Sequence, residues 1–306
     1  MAKHVAVLMG GLSAEREVSL GTGAFYAKWA REAGYEVTEI DVGRDIAQKL
    51  AEVKPDVALN GLHGKGGEDG LIQGLLETMQ IPYTHSGVLS SALAMNKHHA
   101  KIAFKTVGVP VTDHKIAHRS DIARAHVMQP PYVVKPVAEG SSVGVFLVKS
   151  ESTHPPQEIL GEDWLGGEYL MAERYVPGRE LTCAVMGDVA LGVIEIVTDL
   201  HFYNYEAKYA SGGSRHILPA EISSNIYEKV QKMALKAHEA LGCRGVTRAD
   251  FRYNDLAGPE GELVCLEVNT QPGMTGTSLV PELAQHAGHS FEELVRWIVE
   301  DASCNR

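Results

Sequence analysis

The first sixty residues restrict the fold more than any other part of the chain. A short apolar strand, His4 to Met9, is followed by Gly10 and Gly11 and then by a helix that starts between Ser13 and Ser19 and runs to about Ala33. Gly34 sits where a helix ends in a left-handed residue. A strand from Glu36 to Asp41, a helix from Ile46 to Glu52 and a strand from Asp56 to Asn60 complete a β-α-β-α-β series. Such alternation implies a parallel sheet with helices on both faces. Ligands of these sheets gather outside the strand carboxyl ends, so Gly10-Gly11 and the segment His63 to Gly70 are expected to line one crevice.

The character of the chain then changes. Helices are expected at Asp69 to Met79 and Ser90 to Val107, the second ending at Gly108 before Pro110. A domain boundary is expected between about residues 97 and 110. Val111 to Gln129 is mixed, with Ser120 a plausible N-cap for a short helix. YVVKPVAEGSSVGVFLV reads as two strands joined by a glycine-serine turn, and Ser150 to Gly167 as a loop. Tyr169 to Tyr175, Glu180 to Met186 and Val189 to Val197 are strand-like, with Gly187-Asp188 a tight turn between the last two. Phe202 to His216 lacks periodicity and suits a lid or binding loop. Ser223 to Leu241 is a clear amphipathic helix closed by Gly242, and Phe291 to Ala302 is a terminal helix.

Two strand-like stretches, Val246 to Tyr253 and Leu263 to Pro281, carry the densest chemistry. Side chains two apart in a strand share a face. Arg248 and Asp250 therefore fall together, as do Glu267 and Asn269, while Val264, Leu266 and Val268 share the opposite face. If the turn-like Asn254 to Glu262 closes an antiparallel hairpin, two carboxylates, a carboxamide and a guanidinium converge. Oxygen donors of this kind suit Mg²⁺, which is commonly shared between a few carboxylates and substrate phosphates. The patch reads as a metal-nucleotide site.

Composition narrows the partners. A chain of 306 residues is long for a single core and argues for two or three units. The net charge of -11 disfavours nucleic acid or an anionic membrane, and an anionic ligand such as ATP would need locally placed cations. Cys183, Cys243, Cys265 and Cys304 form no CxxC pair, which argues against a zinc site or a disulfide framework and favours a reducing compartment. Cys183 and Cys265 sit in apolar runs and read as core residues. The amino-terminal apolar run is short for a signal sequence and no stretch reaches membrane length; the expected location is the cytoplasm.

Single residues do not decide the function. Lys135 ends an apolar strand before Glu139 to Ser142, an arrangement that suits phosphate binding, yet no GxxxxGK loop is present. His63 alone reads as a structural histidine, and Glu15 and Ser141 look ordinary.

Their order along the chain is informative. GGLSAEREVSL at Gly10 to Leu20, LHGKGGEDG at Leu62 to Gly70, MNK at Met95 to Lys97 and VVKPVAEGSSVGV at Val133 to Val145 come first. YNYEAKY at Tyr203 to Tyr209, TRADF at Thr247 to Phe251 and LEVNTQPGMTGTSLVP at Leu266 to Pro281 follow. Together, from about residue 4 to 298, they closely resemble the D-alanine–D-alanine ligases of the ATP-grasp superfamily.

The resemblance implies an α/β fold, α+β overall: a Rossmann-like parallel-sheet domain over 1–96, then ATP-grasp subdomains over 97–180 and 181–306. ATP would phosphorylate the carboxylate of one D-alanine, and the amine of a second would displace phosphate, giving the dipeptide for peptidoglycan precursors. Lys97, Lys135 and Lys208, with Ser142, would meet ATP phosphates; Glu173 and Glu180 would bind adenine and ribose. Asp250, Glu267 and Asn269 would hold two Mg²⁺ or Mn²⁺ ions. Arg248 and the Gly273 N–H would stabilise the tetrahedral intermediate. Glu15 would hold the first D-alanine's ammonium, with His63 nearby, and Ser278 with the Leu279 backbone the second one's carboxylate. Glu15, Ser141 and Tyr209 would tie the lid over the site, excluding water. The resemblance also implies a homodimer.

Three positions depart from the family pattern. Asn96 replaces an aspartate often found there, Gly276-Thr277 occupies a variable pair, and Ser150 to Gly167 is shorter than in many members. Tyr209 favours the dipeptide over the D-lactate ester, whose makers often carry phenylalanine there. A ligase for another amino acid or for D-lactate, and a catalytically dead binding module, are the competing readings; the second would be expected to lack Arg248 or the metal ligands.

Overall fold

The computed structural model describes residues 2–140, 144–198 and 214–306. Strands β1 (His4–Met9), β2 (Glu36–Asp41) and β3 (Val57–Asn60) form a parallel sheet in the order β2-β1-β3. Alternate residues of β1 fill both faces. Val5 and Val7 meet Tyr26, Ala27 and Ala30 of helix α1 (Arg16–Glu32), while Ala6 and Leu8 meet Leu50 of α2 (Ile46–Val53) and Ile72 and Leu76 of α3 (Leu71–Met79). Gly34 follows α1 at φ 88°, the left-handed conformation read from the sequence.

The single helix expected from Ser90 to Val107 is two helices. α4 (Val88–Met95) stops at Asn96, whose backbone is extended and whose side chain accepts from the His99 N–H at 3.1 Å, capping α5 (Lys97–Thr106). An asparagine that satisfies a helix-end donor competes with helix continuation. Ser120 is likewise not a cap: His118 holds that position before α6 (Arg119–Arg124) and accepts from the Ser120 N–H.

Strands β4 (His114–His118), β5 (Tyr132–Pro136), β6 (Phe146–Val148) and β7 (Tyr169–Arg174) form a second, antiparallel sheet in the order β4-β7-β5-β6. Tyr132, Val134, Leu170 and Ala172 enter a small core with Ile122 and Ile159. Period-two geometry turns Val133, Lys135 and Glu173 to the other face.

The third sheet, also antiparallel, has the order β10-β9-β8-β11-β12. Its strands are β8 (Arg179–Met186), β9 (Val189–Val197), β10 (Arg215–Ile217), β11 (Val246–Asn254) and β12 (Glu262–Asn269). One face, with Leu181, Cys183, Ala249, Phe251 and Cys265, is buried against Ala100 and Phe104 of α5 and against α7 (Ser224–Ala240). Segment 97–180 thus contributes α5 to the core of this sheet. The opposite face is apolar at Ala184, Met186, Ile194 and Ile196, where α8 (Leu279–His286) and α9 (Phe291–Glu300) cover it. It becomes polar at Glu180, Thr182 and Asp250.

The expected hairpin is present, with two differences. Leu263 to Pro281 is strand only to Asn269; Leu279 opens α8, and Pro281 falls in its first turn, where no backbone donor is needed. The second difference is a β-bulge. Asp250 pairs with Glu267 and Phe251 with Cys265, so Leu266 is an extra residue. Leu266 therefore joins Glu267 in lining the cleft described below, while Val268 lies in the core with Leu263 and Cys265. The expected grouping of Leu266 with Val268 is overturned, because alternation does not carry across a bulge. No helix among the described residues is long and apolar enough to cross a membrane.

Candidate active site

A cleft of about 860 Å³, counted with its open mouth, separates the second and third sheets. Lys135 and Glu173 stand on one wall, Asp250, Leu266 and Glu267 on the other, and Lys97 and Gly140 also line it. This convergence follows from β5 and β7 turning alternate residues toward β11 and β12.

The charged side chains along the walls meet partners of opposite sign. The Lys97 ammonium donates to the Glu139 carbonyl at 2.7 Å and lies 3.2 Å from a Glu267 carboxylate oxygen. Glu173, 3% exposed, receives Lys135 Nζ at 2.5 Å on Oε2, Lys101 Nζ at 2.6 Å on Oε1, and the Thr112 hydroxyl. Burial alone would favour the neutral Glu173, yet the two ammoniums hold its pKa well below the carboxylate range. Burial also opposes the Lys135 charge, but Glu173 and Glu267 outweigh it and its pKa is raised. For Lys101 burial prevails and its pKa is lowered.

On the facing wall, Arg248 grips Asp250 with two hydrogen bonds, Nε to Oδ1 at 2.9 Å and Nη2 to Oδ2 at 2.7 Å. The Thr182 hydroxyl donates to Asp250 Oδ1 at 2.6 Å. Asn269 stands opposite Arg248, and its Oδ1 accepts from the Gln271 N–H at 2.7 Å. Two carboxylates and a carboxamide on one face form an oxygen donor set that fits a hard cation, with further ligands left to phosphates.

The amino-terminal domain meets the cleft through Glu15, which directly precedes α1. A Cβ added to Gly140 would lie 2.8 Å from Glu15 Oε1, and one added to Gly64 would lie 3.0 Å from it. Three segments distant in sequence thus meet at one carboxylate. His63 is 4% exposed with both ring nitrogens engaged, Nε2 with the Thr22 hydroxyl at 2.8 Å and Nδ1 with Glu68 at 3.1 Å. Thr22 Oγ1 in turn accepts from the Met274 N–H at 3.3 Å, linking His63 to the loop after β12. In that loop Ser278 Oγ accepts from the Thr275 N–H at 3.0 Å and lies 3.4 Å from where a Gly273 Cβ would stand. Leu279, first residue of α8, has a backbone N–H of the kind no helix satisfies internally.

Ser141, Ser142, Lys208 and Tyr209 lie outside the described residues, as does most of the expected lid. Two residues that sequence reasoning passed over join the site. Lys101 lies one turn beyond Lys97 on the same helix, and that i, i+4 spacing was the available signal. Gln271 exchanges amide hydrogen bonds with Asn60 at the carboxyl end of β3: Nε2 donates to the Asn60 carbonyl at 2.5 Å, and Oε1 accepts from Asn60 Nδ2 at 3.1 Å. The buried thiols of Cys183, Cys243 and Cys265, pushed up to about 12 by burial, are core groups.

Comparison with known proteins agrees with this arrangement. The family models described as D-ala D-ala ligase C-terminus and D-ala D-ala ligase N-terminus match residues 103–300 and 43–86. The D-alanine–D-alanine ligase B of Mesorhizobium japonicum is 62% identical over 306 residues, covering 100% of this chain and 99% of the relative. The D-alanine–D-alanine ligase of Methylocella silvestris is 62% identical over 307 residues, covering 100% of both. Among solved structures, the D-alanine–D-alanine ligase of Bacillus anthracis superposes with a TM-score of 0.82 at 32% identity, over 98% of this chain and 97% of that one. Its complex with ATP gives 0.80 at 29% identity, with the same coverage. Two antiparallel sheets around a cleft, behind a parallel-sheet domain, make the ATP-grasp fold, and this chain belongs to the D-alanine–D-alanine ligase family.

Proposed function

We propose that this chain is an ATP-dependent ligase that joins two molecules of D-alanine, supplying the dipeptide for peptidoglycan precursors in the cytoplasm. The observation that carries the reading is the in-register pair Asp250 and Glu267, across the cleft from Lys135 and beside Lys97. Carboxylates on one wall, with the Lys135 ammonium opposite and the Lys97 ammonium beside them, suit a magnesium nucleotide better than either component alone. The family identity supports the choice of substrate.

In this reading Lys97, Lys135, Lys208 and Ser142 position the ATP phosphates, and Glu180 receives the ribose. The Glu173 carboxylate is committed to two lysines, so its part at the adenine end is to fix that wall. Glu15 holds the ammonium of the first D-alanine and thereby aims its carboxylate at the γ-phosphorus. The carboxylate oxygen bonds to that phosphorus, the bond to the ADP oxygen breaks, and an acyl phosphate forms. Ser278 and the Leu279 N–H hold the carboxylate of the second D-alanine. Its neutral amine adds to the acyl carbon, the nitrogen loses a proton, and inorganic phosphate departs. Arg248 and the Gly273 N–H stabilise the oxyanion of the tetrahedral intermediate. Asp250, Glu267 and Asn269 would hold two Mg²⁺ or Mn²⁺ ions, which when bound neutralise phosphate charge. Glu15, Ser141 and Tyr209 hold the lid shut against water. The three-part division at 1–96, 97–180 and 181–306 and a homodimeric assembly complete the proposal.

Purified protein with ATP, Mg²⁺ and D-alanine should release phosphate and D-alanyl-D-alanine in equal amounts. Silence with D-alanine, together with phosphate release when D-lactate or another amino acid is the second substrate, would replace this reading with that of a sister ligase.

A further inference from the structure

Lys101 is fully buried in the middle of α5. A buried ammonium is expensive, and a buried ion pair is weak evidence for stability, because well-packed apolar residues can do as well. Its surroundings suggest another reason for a lysine there. Lys101 Nζ lies 2.6 Å from Glu173 Oε1 and 3.4 Å from both Thr112 Oγ1 and the Cys265 carbonyl. Lys135 takes the other Glu173 oxygen, and of the two lysines only Lys135 lines the cleft.

We infer that Lys101 is a positioning residue for the nucleotide phosphates: it neutralises Glu173 from behind, so that Lys135 keeps a net positive charge toward the cleft. The inference rests on the ATP-binding reading above. One carboxylate between two ammoniums leaves a net charge of one positive unit on that wall. With Lys101 absent, Glu173 and Lys135 form a neutral pair, and an approaching polyanion meets a dipole in place of a charge. Glu173 also fixes the Lys135 ammonium in space, since Lys101 and Thr112 hold the carboxylate on the side away from the cleft.

The test measures steady-state constants for Lys101→Met and for Lys101→Met/Glu173→Gln, with folding checked by circular dichroism. The single variant should raise the KM for ATP at least about tenfold, an effect of one unit charge at short range in a partly dry site. The inhibition constant of adenosine, which carries no phosphate, should stay within about threefold, because only the charge term is removed. The double variant restores the net charge but gives up the Glu173 anchor, so its KM for ATP should fall at least about threefold below that of the single variant without reaching the wild-type value. A merely structural role for Lys101 predicts a double variant no better than the single one, with adenosine and ATP weakened alike. Either result, or an unchanged KM for ATP in the single variant, overturns the inference. Should the single variant not fold, the double variant decides: a folded double variant whose KM for ATP rises at least about tenfold more than its inhibition constant for adenosine contradicts it. Failure of the underlying reading is separate, since it appears as wild-type protein that does not consume ATP.

Discussion

Asp250 and Glu267 face each other in register across β11 and β12, at the point where Leu266 bulges out of the pairing. Like charges directly opposite on a sheet repel. Here each is drawn to a different cation, Asp250 to Arg248 and Glu267 to Lys97. The arrangement costs stability that a simple hairpin would not spend, which is expected where function sets the sequence. Glu267→Gln keeps a partner for Lys97 and relieves the repulsion. It should lower turnover at least about a hundredfold through loss of a proposed metal ligand, with Tm within about 2 °C of the wild type or above it. Thermal unfolding and phosphate release on one preparation check both halves, and unchanged turnover would sink the metal assignment.

Gly140 tests the junction of the amino-terminal domain with the cleft. Its backbone is not in the left-handed region, so alanine is tolerated there. The added methyl would stand 2.8 Å from Glu15 Oε1 and push the end of that side chain away. Gly140→Ala should raise the KM for D-alanine about tenfold, the scale on which small misplacements of a positioning group act. The KM for ATP should change little; equal rises in both would place Glu15 elsewhere in the mechanism.

Much of this was legible in the chain. The β-α-β-α-β start, the hairpin, and the shared face of Arg248 and Asp250 follow from period and turn chemistry alone. The bulge at Leu266 was not legible, because a single extra residue leaves no mark in a hydrophobic pattern. The helix break at Asn96 was hidden by helix-forming neighbours on both sides; there the backbone turns extended and the side chain caps α5 through the His99 N–H. Lys101 shares a helix face with Lys97, but its burial depends on Glu173, far away in sequence. The meeting of Glu15 with Gly140 is likewise a product of domain packing.

The Asn60–Gln271 amide pair joins the first sheet to the loop after β12 inside the protein. Gln271→Ala leaves the buried Asn60 carbonyl and amide short of partners, at a cost of about 1–3 kcal/mol. Denaturant unfolding should register that loss. A change below about 0.5 kcal/mol, the range of ordinary surface substitutions, would mean that the pair does not fasten the domains.

Acid should weaken the fold through two buried histidines. Burial lowers His85 to about 3 and His238 to about 4, from an ordinary 6.5. His85 donates from Nδ1 to the Val246 carbonyl at 3.2 Å and is 2.9 Å from the Tyr26 hydroxyl, a pairing that suits the neutral ring. Below pH 6.5 the unfolded chain therefore binds more protons than the folded one. The stabilisation is fully present above pH 6.5 and is lost as pH falls toward 4 for His238 and toward 3 for His85, by about 2 kcal/mol per histidine at pH 5. His238→Gln should flatten the acid limb of a Tm-versus-pH curve; an unchanged slope would show that His238 titrates normally.

The acyl phosphate is the centre of the account, and oxygen tracing reaches it most directly. D-alanine labelled with ¹⁸O in both carboxylate oxygens is supplied with ATP and Mg²⁺, and the released phosphate is analysed by mass. Attack of the carboxylate on the γ-phosphorus predicts one ¹⁸O in each phosphate formed with dipeptide. Phosphate free of label, with dipeptide still produced, would contradict the mechanism.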